Sequence, residues 1–106
     1  MPKYLIQASY TAEGVKGVLA KGGTARRSAA EAAAKSVGGK VEQFYFAFGE
    51  NDVVAIIDLP DHASAAALAL VTSASGAVHA RTTVLLTPEE IDAAGKKSLD
   101  YRPPGA

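Results

Sequence analysis

The sequence contains no cysteine, and that absence removes disulfides, thiolate nucleophiles, iron–sulfur ligation and Cys-type zinc sites together. Tryptophan is also missing, and the aromatic residues amount to three Phe and four Tyr, while 22 of the 106 residues are alanine. Large apolar side chains must therefore be concentrated in a few elements. There is no excess charge of either sign, because 11 basic residues balance 11 acidic ones, so neither nucleic acid nor an anionic membrane is an expected partner. No apolar run approaches the roughly 20 residues that span a bilayer, and "MPK" leads straight into "YLIQASY" without the pattern of a signal peptide. A cytoplasmic protein is the expectation. At this length one core is expected, burying roughly 60 to 70 % of the unfolded surface.

What is present is a regular alternation of elements. "KYLIQASY" (residues 3–10) is short and rich in aromatic and β-branched residues, and reads as a strand. Thr11 then offers an N-cap for a short helix carrying Val15, Val18 and Leu19, interrupted at Gly22–Gly23. From Thr24, expected as a second N-cap, "TARRSAAEAAAKSV" is built almost wholly of helix formers and stops at Gly38–Gly39. "KVEQFYFAFGENDVVAIIDLP" holds two apolar runs separated by "GEND", a hairpin signal. A two-residue loop at Glu50 and Asn51 would set Phe48 opposite Val53, Phe46 opposite Ala55 and Phe44 opposite Ile57. Both faces of that hairpin are apolar, the second carrying Tyr45, Ala47, Val54 and Ile56. Asp61 caps a third helix that ends at Gly76, "AVHARTTVLL" is a fourth strand, and Thr87 with Pro88 opens a short last helix.

The order is β-α-β-β-α-β, the split βαβ or ferredoxin-like pattern of the α+β class, with a four-stranded antiparallel sheet and the first helix broken at Gly22–Gly23. One domain is expected over residues 1–98, and an extended Pro-rich tail over 99–106. Such a sheet carries helices on one face, so apolar residues on the other face imply association. A homodimer through the sheet face is expected, with higher assembly through the third helix, which is apolar nearly all round.

The hairpin "FYFAFGENDVVAIIDLPD", with "GGTARR", "VGGKVE", "SASGAV" and "LLTPEE", resembles the GYD domain family, small bacterial proteins of unknown biochemical role. The similarity runs from "KYLIQASYT" onward over essentially the whole chain. The resemblance implies a dimeric α/β barrel, a superfamily that includes cofactor-free monooxygenases, lactone isomerases, haem-degrading enzymes and non-enzymatic ligand sensors. The signature that names the family falls on Gly49, Asn51 and Asp52, with Asn where Tyr is usual.

The best chemical candidate among the residues themselves is Gly23, Thr24, Arg26 and Arg27. Free N–H groups at a helix start, a hydroxyl and two guanidinium forks are the parts of an anion site. Two cations in a first turn also oppose the helix dipole and need compensation, which either a bound anion or Glu13, Glu31 or Asp52 would supply. The spacing lacks the Lys-Ser/Thr ending of a P-loop. On the fourth strand His79, Arg81 and Thr83 share a face. Lining a cleft between sheet and helices, His79 would serve as a general base or a haem ligand, and otherwise it is an interface residue. Tyr45 is a further candidate contact for a ligand. His62, beside its capping Asp61, reads as a solvated surface residue, and no histidine pair has metal-ligand spacing with a carboxylate. Two functions follow: a non-enzymatic dimeric binding or assembly module for a small anionic or aromatic ligand, or a cofactor-independent oxygenase or isomerase using His79. The residues identify no cofactor.

Overall fold

A computed structural model describes residues 1–105 of the chain, so the last residue of the expected tail, Ala106, lies outside the described residues. The elements follow the expected order: β1 (Lys3–Tyr10), α1 (Ala12–Lys21), α2 (Gly23–Ser36), β2 (Lys40–Phe46), β3 (Val53–Asp58), α3 (His62–Ala74), β4 (Val78–Leu85) and α4 (Pro88–Gly95). The strands form one antiparallel sheet in the order β2-β3-β1-β4, with β1 and β3 at its centre. This is an α+β, ferredoxin-like arrangement.

Alternation along β1 divides the sheet into two faces. Tyr4, Ile6, Ala8 and Tyr10 look toward α1, α2 and α3, while Lys3, Leu5, Gln7 and Ser9 look away. The core lies on the helix side and is small. Val53, Ala55 and Ile57 of β3 meet Tyr4 and Ala8 of β1, closed by Ala34 of α2, Ala65 of α3, Val78 of β4 and Leu59. Tyr4 and Leu59 are its largest fully buried side chains. Alanine at Ala34 and Ala65 lets the helix backbones approach the sheet, which explains why a chain poor in large apolar residues still closes a core.

Local chemistry sets the helix boundaries. The Thr11 hydroxyl accepts the amide of Gly14, the Asp61 carboxylate accepts that of Ser64 at 2.8 Å, and Thr87 with Glu90 forms a complete capping box ahead of Pro88. Each cap satisfies an N–H that the first turn leaves without a partner. The break between α1 and α2 is a single residue, Gly22, at φ 89 and ψ 166, a region open in practice to glycine alone. Gly22 is therefore the N-cap of α2. The expected cap, Thr24, lies inside the helix, and α2 has no side-chain cap.

The hairpin register differs from the expected one. Phe46 pairs with Val53, Phe44 with Ala55 and Val41 with Ile57, with Glu42 as an extra residue where the register shifts. The connection spans residues 47–52, and Phe48 lies in it fully exposed. The cause is Asp52, whose amide donates to the Ala8 carbonyl and whose carboxylate accepts the Tyr10 amide, both at 2.8 Å. The Asp52 carbonyl also accepts the Ala47 amide at 2.9 Å, so Ala47 rather than Gly49 faces it across the hairpin and the loop is longer than two residues.

Candidate functional site

A cleft of about 810 Å³ opens between the helix-side face of the sheet and the three helices. Its floor is apolar, formed by Ile6, Ala8, Phe44, Val53 and Val78. One wall is a stripe of α2 in which Arg26, Ala29, Ala30 and Ala33 recur at helical spacing; the other is α3, with Leu68, Ala69 and Thr72. Along the rim, Glu13, Gly17 and Lys21 stand four residues apart on one face of α1. Small side chains on α1 and α2 leave the space open, because alanine and glycine cannot reach across to α3. In this apolar setting the Nε of Arg26 is buried and has no hydrogen-bond partner among the described residues. A buried donor without an acceptor is a rare and unfavourable feature.

The two neighbouring arginines look in different directions, since one residue of helix is 100° of rotation. Arg27 borders a separate hollow of about 310 Å³ with Gly23, Thr24, Phe44 and Phe46. Neither arginine forms an ion pair among the described residues, where both ion pairs belong to Lys3. Asp52, one of the carboxylates considered for them, is bound to the backbone of β1 instead. Gly23 has its own packing role: a Cβ there would lie 2.8 Å from the ring of Phe46.

His79, Arg81 and Tyr45 lie elsewhere. His79 pairs with Ser9, Arg81 with Gln7 and Tyr45 with Val54, all on the sheet face turned away from the helices. The cleft position that the oxygenase or isomerase reading requires of His79 is thus taken by its neighbours Val78 and Ala80. Arg81 reaches the side-chain oxygen of Asn51 at 3.5 Å, so the connection between β2 and β3 is tied to β4 on this face. At the opposite end, Lys3 bridges Glu42 and the buried carboxylate of Asp58, the latter at 2.8 Å. These two acceptors, Asp58 first, hold the lysine pKa above its ordinary value of 10.5.

Glu13, Gly17 and Lys21 were not distinguished as cleft residues by the sequence reading. Their four-residue spacing is the signal that could have found them, as could the Arg26, Ala30, Ala33 stripe. Among the described residues no group of three or more His, Cys, Asp or Glu side chains could hold a metal ion. No helix among them is long and apolar enough to cross a membrane.

A family model for the GYD domain matches residues 4–94. The chain belongs to the GYD domain family. No curated protein matches it. Within this GYD domain Gly49, Asn51 and Asp52 lie in the connection between β2 and β3, which closes one end of the sheet. Its aspartate holds the backbone where β1 passes into α1, while its asparagine contacts Arg81.

Proposed function

We propose that this GYD domain is a homodimeric, non-enzymatic binding module whose cleft takes a small ligand with an apolar or aromatic body and one anionic group. The observation that carries the reading is the unpartnered, buried Nε of Arg26 in an otherwise apolar wall. A carboxylate or phosphate-type oxygen at that point would satisfy the guanidinium, with Lys21 at the rim adding charge. The apolar floor would hold the body of the ligand, as in most small-molecule sites. A second copy is supported by the other sheet face, where Leu5, Val54 and Ile56 are only half-buried while α1, α2 and α3 all pack on the opposite side.

The test compares two fluorescent probes of similar body, anionic anilinonaphthalene sulfonate and neutral phenylnaphthylamine. Both are expected to bind saturably, one per chain. Arg26→Met should weaken the anionic probe by about tenfold or more, the loss of one charge-assisted hydrogen bond, and leave the neutral probe unchanged. Absence of saturable binding, or equal weakening of both probes, would overturn the reading.

A further inference from the structure

The segment after β4 has no place to rest on its own chain. Every residue from 86 to 105 is exposed, including Leu86, Ile91, Leu99 and Tyr101, at 58, 54, 85 and 70 %. Yet this is a built element: α4 has a complete capping box, proline in its first turn and two acidic residues suited to the helix dipole. Eight residues are too few to hold a helix in water by propensity and capping alone; helices this short persist by packing an apolar face on something else. The overall dimensions agree. The radius of gyration is 16.9 Å and the long axis 56 Å, against about 13 Å for the radius of a compact domain of this size.

We infer that residues 86–105 form an arm that packs on a second copy of this chain, so that each subunit of the dimer is embraced by the other. The inference rests on the sheet-face dimer proposed above. Three observations favour a second copy as the occupant. The arm follows directly on Leu85, the last residue of β4, which pairs with Lys3 on the open face, so a copy seated on that face lies beside the root of the arm. Its charges are mixed, with Glu89, Glu90, Asp92 and Asp100 against Lys96, Lys97 and Arg102, matching a chain of zero net charge rather than a polyanion or a polycation. Beyond α4, Leu99 and Tyr101 add two large exposed apolar side chains with Asp100 and Arg102 beside them, a mixed apolar and charged surface of the kind that the open sheet face itself presents. Reciprocal exchange also needs no third component, since a two-fold axis supplies both arms and both receiving surfaces.

The test is amide hydrogen exchange of the full chain at several concentrations, beside sedimentation equilibrium of the full chain and of the triple variant I91D, L99S, Y101S. All three positions are exposed, so the substitutions spare the core. The expected result is a dimer in which the α4 amides are protected, protection that falls on dilution in step with dissociation, and a dimer Kd raised by about tenfold or more in the variant. A dimer with unprotected α4 amides, or with an unchanged Kd in the variant, overturns the arm and leaves the sheet-face dimer standing. A monomer at all concentrations overturns both.

Discussion

The hydroxyl of Tyr4, at the start of the first strand, lies 2.6 Å from Nδ1 of His62 at the start of α3, with the two rings edge to face at 5.8 Å. Tyr4 is 1 % exposed, so its ring fills the core while its one polar atom finds a partner at the core's edge. His62 is more than the solvated cap neighbour its sequence position suggests, because it joins α3 to the central strand. Tyr4→Phe removes only the hydrogen bond and leaves a histidine that water can reach, for an expected loss of about 0.5–1.5 kcal/mol. Tyr4→Ala also empties the core and is expected to lose about 3–5 kcal/mol, as for other large aromatic truncations. Urea unfolding of the two variants measures the difference; equal losses would place the stabilisation in the hydrogen bond rather than the ring.

The paired glycines at the α1–α2 break have separate jobs and should fail differently. Gly22 holds a backbone conformation that a side chain resists, so Gly22→Ala is expected to lose about 1–3 kcal/mol whatever surrounds it. At Gly23 the atoms nearest an added Cβ all belong to the Phe46 ring, a side chain that is 44 % exposed. Gly23→Ala should therefore lose less, and Phe46→Leu in the same chain should remove most of the loss. Additive effects in that double variant would count against the packing argument.

Features set by near neighbours in sequence were legible in advance. Thr11, Asp61 and Thr87 cap helices because each needs only an amide three residues away, and the element order follows from the strand and helix patterns between them. Features set by distant partners were not. The hairpin register depends on Asp52 binding β1, 42 residues back from it at Tyr10, and the Tyr4 to His62 bond joins residues 58 apart. Thr24 fails as a cap for a more local reason: Gly22 turns the chain so abruptly that the cap and the start of α2 both fall two residues earlier. The candidate site was half legible. "GGTARR" pointed to the right helix end, but which arginine faces the cleft depends on how α2 is rotated against the sheet. The alanines at Ala30 and Ala33 share that stripe with Arg26, and reading them together would have separated it from Arg27.

Two ionisable groups are displaced from their ordinary values in opposite directions. The Asp61 carboxylate accepts the Ser64 amide, and this first of all holds its pKa below the ordinary 3.8. Its contribution to stability is therefore complete above pH 3.8 and is lost as pH falls through the lower folded value. Lys3 is displaced upward from 10.5, so its contribution is complete below that pH and is lost as pH rises through the folded value. Asp61→Asn, which keeps a capping oxygen, should flatten the acid side of a thermal-stability profile and leave the alkaline side alone. Lys3→Met should flatten the alkaline side. A profile unchanged on the expected side in either variant would contradict the assignment.

Adjacent alanines on α2 offer the sharpest separation of ligand space from core. Ala34 is 0 % exposed and packed in the core, whereas Ala33, one residue earlier, lines the cleft. Ala34→Leu forces added volume into a closed site and is expected to lose about 1–3 kcal/mol. Ala33→Leu extends into open space and should leave stability unchanged or raise it by about 0.5–2 kcal/mol, as cavity filling does. The same Ala33→Leu chain should bind both naphthyl probes weakly, because it fills the space they would use, while Arg26→Met weakens only the anionic one. Loss of stability in Ala33→Leu comparable to that in Ala34→Leu would mean that the space beside Ala33 closes in solution, and with it the proposed binding cleft.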